Sequence, residues 1–320
     1  MTQYLVRRLL QFIPVLALTS LVAFALIRLI PGDPATVMLG PTAKPEQITA
    51  LRAEMGLDQS IPQQYLVWLG RIATGNFGKS FINDFPVSQL ILRRLPATLE
   101  LALAALVVAL LIGVPFGVIA SIWRGRWPDH LITLFSSLAM GIPDFWLGVL
   151  LVLLFALRLN WLPSSGYTSI VQEPLNGLRF IILPSLTLGL YISAVFARFI
   201  KASLVEVMSQ DYIRTARSKG LSERRVILRH AFKNAMIPMV TVFALQLGGL
   251  LGGVVITESI FDWPGLGRLL ITSIQKRDYS IVQASIMIAV LFYLVINLAA
   301  DLSYGLIDPR LRYRASRNRV

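Results

Sequence analysis

Apolar positions run without a polar break long enough to cross a bilayer at about 9–30, 99–122, 131–157, 180–200, 236–257 and 282–304. Each approaches or exceeds the roughly 20 residues that a hydrocarbon core of about 30 Å requires, which predicts six membrane helices. The polar stretches between them differ in kind. From 31 to 97 the pattern turns amphipathic, and "KPEQITALRAEMG" and "SIPQQYLVWLGRIATG" predict short helices, started at Asp33 and Pro34 and ended at Gly56. Tyr65, Leu66, Trp68, Leu69 and Ile72 recur at helical spacing, so this insertion is expected to be a small folded cap packed on the membrane helices. From 201 to 235 the pattern is again helical but strongly basic.

Composition agrees with that reading: 55% of the residues are hydrophobic and the mean hydropathy is +0.67, which places the chain among membrane proteins. The first run follows Arg7 and Arg8, yet it exceeds a signal-peptide core and leads into "RLIPGDP" instead of a small-residue cleavage site, so it is expected to remain as an anchored helix. No cysteine is present, which excludes disulfides, thiolate metal sites and cysteine nucleophiles. His130 and His230 stand a hundred positions apart without an HExxH pattern, and no metal site or catalytic residue is expected.

Charge fixes the expected orientation. With a cytoplasmic N-terminus, 18 of the 30 lysines and arginines fall on the inner side, nine of them between Arg198 and Lys233 and five in the tail from 305 to 320. The net charge of +13 is then a topological signal, and nucleic-acid binding is not needed to explain it. "ATGNFGKS" (Ala73–Ser80) resembles a phosphate-binding loop but has Ala73 where the first glycine belongs and follows a helical pattern where a strand would be needed. It reads as an irregular outer loop, and the chain is not expected to be an enzyme.

The basic stretch is "DYIRTARSKGLSERRVILRHAFKNAMIP" (Asp211–Pro238). Gly220 suits a left-handed helix end, and Ser222 suits the cap of a new helix from Glu223. Two short helices meeting at an angle form a knob able to lie in a partner's cleft and transmit rigid-body motion.

At these residues the chain resembles the permease subunits of ABC importers, in particular the first permease of dipeptide and oligopeptide importers. With Gly220 aligned on the importer signature, Ala216 matches its Glu-Ala-Ala triplet while Arg214 and Thr215 do not, and Ile237 and Pro238 close the loop. Further matches are "RLIPGDP", "PATLELAL" (Pro96–Leu103), "ESIFDWPGLGRLL" (Glu258–Leu270) and "DLSYGLIDPRLRY" (Asp301–Tyr313), so the resemblance covers nearly the whole chain. It implies an all-α, polytopic protein with the six-helix fold of type I importer permeases: an N-terminus and first helix at 1–30, an extracytoplasmic cap at 31–97, a five-helix core at 98–304 and a basic cytoplasmic tail. It implies a bacterial inner-membrane location with both termini cytoplasmic. The implied partners are a second, related permease in a heterodimer, two cytoplasmic ATPases that carry the ATP and magnesium, and an extracytoplasmic solute-binding protein, with lipid around the helices.

Coupling to the ATPases is then expected at Arg214, Ala216, Arg217, Gly220, Leu221, Ser222, Arg224 and Arg225. Asp144, about 13 residues into the third span, would lie near mid-membrane, where a carboxylate must face a wet cavity or a partner. It is a candidate for the solute pathway, with Pro143 bending the helix towards it. Gly248 and Gly252, overlapping with Gly249 and Gly253, form a bare helix face suited to close packing in the subunit, to the partner permease or to the pathway. Asp262, Trp263, Pro264 and Gly265 are candidates for an outer gate or docking element, with Trp263 at the outer interface. The alternative is an ion-coupled secondary transporter, for which no internal repeat is visible.

Overall fold

The computed structural model of the chain describes residues 2–29, 34–40, 43–54 and 56–307. Among the described residues every regular element is helical, apart from one isolated antiparallel bridge between Lys79 and Pro86. The helices are α1 (Thr2–Leu29), α2 (Pro34–Leu39), α3 (Pro45–Glu54), α4 (Ile61–Ala73), α5 (Val87–Ile122), α6 (Trp127–Gly141) and α7 (Asp144–Leu151). A π-helical segment, Val152–Arg158, prolongs α7. Then follow α8 (Pro174–Met208), α9 (Asp211–Ser218), α10 (Glu223–Arg225), a second π segment at Val226–Ala231, α11 (Phe232–Ala235), α12 (Met239–Ile260), α13 (Leu266–Gln275) and α14 (Tyr279–Ile307).

Four of these, α1, α5, α8 and α14, are single helices long and apolar enough to cross a membrane, and two bent pairs bring the number of candidate spans to six. The third span is not one helix: α6 and the α7 helix with its π extension meet at 104°. Pro143 supplies the break, since it has no N–H to donate and disfavours helix at Ile142, which adopts an extended conformation. The second span starts at Val87 and not near 99, and the fourth starts at Pro174 and not near 180. Uniform apolarity fades at Arg93 and Arg94, but the helix continues amphipathically, burying Val87 and Ile91 one turn apart while Leu92 stays exposed.

The chain divides into two compact units, residues 1–96 with 264–294, and residues 97–263 with 295–320. In the first, α4 begins at Ser60, whose backbone and hydroxyl both bond the Gln63 side chain. Its Tyr65 and Trp68 pack on Phe24 of α1 with ring centroids 5.2 and 5.6 Å apart. Trp68 donates to Gln283 of α14 (2.9 Å), which donates to the Ala23 carbonyl (3.0 Å). Two members of the expected apolar stripe therefore dock α4, whereas Leu66 remains exposed. The loop 74–86 is closed by backbone bonds, among them the Ser80 amide to the Phe85 carbonyl (2.9 Å), and Lys79 forms an exposed ion pair with Asp84 (3.2 Å). "PGDP" lies almost wholly outside the described residues, as does the basic tail from 308 onwards.

In the second unit, α8 is the most enclosed of the single spans, with 72% of its apolar window buried. Glycines set how closely its neighbours approach. A Cβ on Gly113 of α5 would fall 2.7 Å from the Ser193 carbonyl, one on Gly117 would fall 2.6 Å from Ile200 Cβ, and one on Gly189 of α8 would fall 2.7 Å from the Ala105 carbonyl. The two backbones thus touch along a seam that no larger residue could occupy.

Candidate functional sites

The basic loop forms the predicted pair of helices. After α9 the chain turns through Gly220 at φ +77°, a left-handed conformation that a residue with a Cβ adopts only at a cost. Ser222 has the extended backbone of a cap (φ −62°, ψ 143°), but its side chain makes no capping hydrogen bond; its carbonyl accepts from the Arg225 and Val226 amides instead. Beyond α10 the helix is wound as a π segment before α11.

Two faces of the loop do different things. Ile213, Ala216, Val226, Ala231 and Ala235 are buried in the same apolar cluster as Leu204 of α8 and Val242 of α12, and Leu221 packs against it. Ala216 and Leu221 therefore fasten the loop to the membrane helices. Asn234 Nδ2 bonds the Tyr212 hydroxyl (2.9 Å) and Ser203 Oγ bonds the Ala235 carbonyl (2.9 Å). Arg217 reaches over the turn to Glu223, with Nε at 3.1 Å and Nη2 at 2.6 Å from its two oxygens. The hydrogen bond from Arg217 holds the Glu223 carboxyl below the ordinary glutamate range. Arg214, Gly220, Ser222, Arg224 and Arg225 are exposed, and they form the outer surface of the loop.

Asp144 is not in mid-helix. It opens α7 directly after the break, with Pro143 as the capping residue, half-buried and without a hydrogen bond or ion pair among the described residues. Its Oδ2 lies 4.0 Å from where a Cβ on Gly253 would sit, so α12 presents a glycine to the carboxylate. On the same helix Gly248 is buried, while Gly249 and Gly252 have no atom within 4 Å of a built Cβ. Among the described residues, Gly249 and Gly252 therefore face open space, whereas Gly248 is enclosed and a Cβ on Gly253 would meet Leu188 at 3.7 Å. The glycine seam is instead the one at Gly113 and Gly117, whose four-residue spacing was readable in "GVPFG".

Trp263 does not face the outer interface. It is wholly buried, its Nε1 donating to the Ala97 carbonyl (2.8 Å) and its ring meeting the Tyr167 edge at 4.7 Å. An indole with a satisfied N–H gains most from full burial, which is why this tryptophan anchors the core. Thr98 donates to the fully buried Glu258 (2.6 Å), and Glu100 accepts from Tyr167 (3.1 Å) and Ser169. The motifs "PATLELAL" and "ESIFDW" thus meet as one polar cluster within the second unit, which spacing in the sequence did not reveal. Asp262 is exposed at φ +55°, the Pro264 carbonyl lies 3.5 Å from Arg94 Nη1, and Gly265 precedes α13 as its cap.

Residues 113–313 match the family described as binding-protein-dependent transport system inner membrane component, and residues 1–102 match the N-terminal part of such membrane components. The glutathione transport system permease protein GsiC of Escherichia coli K12 is 43% identical over 314 residues, covering 98% of this chain and 100% of that protein. The protein of the same name from Shigella flexneri serotype 5b is 42% identical with the same coverage. Among solved structures, the methionine ABC transporter MetNI in an inward-facing conformation shares the fold, with a TM-score of 0.56 at 17% identity over 69% of this chain and 97% of that one.

Proposed function

Because this chain belongs to the inner-membrane permease components of binding-protein-dependent ABC importers, we propose that it forms one half of a solute pathway whose opening is driven through the Gly220 loop. The family places it as a multi-pass protein of the inner membrane that works with ATPase and solute-binding partners. The observation that carries the coupling role is the two-faced loop: one side is buried with α8 and α12, and the other offers Arg214, Arg224 and Arg225 around a left-handed glycine. A force applied to the exposed side by an ATPase moves both membrane helices, because the inner side of the loop is packed into the same apolar cluster as they are.

The finer reading follows from the same features. The termini and the loop lie in the cytoplasm, and α2–α4 form the cap on the other side. A second, related permease covers the open Gly249 and Gly252 face of α12. The solute is glutathione or a short peptide, supported by the relatives named for glutathione transport and by Asp144, a carboxylate without a partner among the described residues and suited to an amino group. Loaded binding protein and ATP shift the permease only in so far as they bind its two states unequally.

The absence of cysteine makes the test direct. Single cysteines at Ser222 and at Leu175, in the full complex in sealed proteoliposomes, are labelled with a membrane-impermeant maleimide from either side. The reading requires Ser222 to react only from the ATP-accessible side, to be protected by the ATPases, and Leu175 to react only from the opposite side. Equal labelling of Ser222 with and without the ATPases would remove the coupling role.

A further inference from the structure

We propose that the cleft between the end of the α7 extension and the first turns of α8 binds a membrane phospholipid, with Arg179 on its phosphodiester. The cleft has a volume of about 470 Å³ and lies at the end of α8 opposite the Gly220 loop. This inference needs the membrane span of α8 alone and is independent of the solute carried.

Position comes first. Arg179 and Lys201 are 22 positions apart on the continuous helix α8, or about 33 Å along its axis. A hydrocarbon core is about 30 Å thick, so the two cations sit at the two headgroup levels. The cleft is therefore at the depth of lipid phosphates, on the face opposite the coupling loop. Trp161, 62% exposed on its rim, has the amphipathic ring that partitions to this depth.

Chemistry comes second. Asn160, Thr168 and Arg179 line the cleft and form no side-chain hydrogen bond among the described residues. Asn176, the fourth polar residue, gives its amide to Glu173 (2.8 Å) and keeps its carbonyl oxygen. Leu162 and Phe180 supply an apolar floor. From there towards the membrane centre the π segment exposes Leu157, Leu154 and Leu153, a track for an acyl chain. Only an amphiphile answers all of this: an anionic ester at Arg179, polar glycerol oxygens at Asn160 and Thr168, and a hydrocarbon tail. The nearby Glu173 carboxylate disfavours a free phosphate dianion more than a singly charged phosphodiester, because like charges repel in proportion to their product.

The test is native mass spectrometry of the full chain, purified with its partners in detergent. The probes are palmitoyl-oleoyl-phosphatidylethanolamine, the diacylglycerol with the same chains, and inorganic phosphate. Wild type is expected to hold the phospholipid at least about tenfold more tightly than Arg179→Gln, as the loss of a charge-assisted hydrogen bond implies. Arg179→Lys should retain most of the affinity, and Arg158→Gln, a nearby arginine outside the cleft, should match wild type. Diacylglycerol should not be retained, and phosphate should not displace the lipid. Equal retention by Arg179→Gln, equal binding of diacylglycerol, or displacement by phosphate would each overturn the proposal, the last by making the site one for small anions. Since Arg179 is exposed, unchanged thermal unfolding of the variants confirms that the comparison is between folded proteins.

Discussion

Arg217 and Glu223 close a two-pronged ion pair over the left-handed turn at Gly220, at 3.1 and 2.6 Å. The pair locks the angle between α9 and α10 without using either helix's buried face. Being about half exposed, it is worth about 0.5 kcal/mol in stability, so its effect should show in coupling and not in folding. Arg217→Glu should lower substrate-stimulated ATP hydrolysis in the reconstituted complex several-fold with near-normal membrane insertion. Adding Glu223→Arg should restore most of it. Equal defects in the single and double variants would mean the pair has no such role.

The same pair predicts a pH dependence. The Glu223 carboxyl is held below its ordinary value by the hydrogen bond from Arg217, so the brace contributes fully above the ordinary glutamate pKa of about 4.3 and is lost as pH falls through the lower, folded value. Hydrogen exchange at the Lys219 and Gly220 amides should accelerate beyond the intrinsic trend only below pH 4. Glu223→Gln should show the faster exchange already at neutral pH.

Gly220 tests backbone against bulk. A Cβ there meets no atom within 4 Å, so the cost of a side chain is conformational alone. Gly220→Ala should cost about 1–2 kcal/mol locally and reduce transport, and Gly220→Val should abolish it. Gly220→Asn, which tolerates the left-handed region, should retain most transport. Uptake that tracks side-chain size and ignores left-handed propensity would refute this account.

Asp144→Asn keeps the shape beside Gly253 and removes the charge. Uptake of solutes with a free amino group should fall about tenfold, while N-acetylated analogues, assembly and basal ATP hydrolysis change little. Unchanged uptake of both solute classes would exclude a pathway role.

The seam gives the sharpest stability contrast. Gly117→Leu drives a side chain into Ile200 and the Ala197 carbonyl, and overpacking of this kind costs about 1–3 kcal/mol or more. Its thermal unfolding in detergent should shift down by several degrees. Gly252→Leu, in open space, should leave the isolated chain's unfolding unchanged and weaken its association with the second permease.

Much of this architecture was written in local pattern. Apolar run length located the membrane crossings, and Gly220 with Ser222 located the loop's bend, because both depend on single residues and near neighbours. What depends on distant partners was not legible. Trp263 looked like an interface residue until Ala97 and Tyr167 were found around it. The GxxxG pair at Gly113 and Gly117 looks the same in sequence as the pair at Gly248 and Gly252, and only the neighbouring helices distinguish a packed seam from a pair whose second glycine lies open. The break at Pro143 was expected as a bend, yet its 104° depends on what α6 and α7 pack against.

Backbone contact along α5 and α8 makes those two helices one stiff plate, since neither can slide past glycines that already touch carbonyls. Compliance must then lie elsewhere in the second unit. Between the end of α6 at Gly141 and the start of α7 at Asp144, Ile142 and Pro143 are extended, and a Cβ at Gly141 would meet nothing. A few degrees of torsion there would swing the Asp144 carboxylate through an arc while the plate stays still, because the break and the carboxylate that opens α7 are consecutive in the chain.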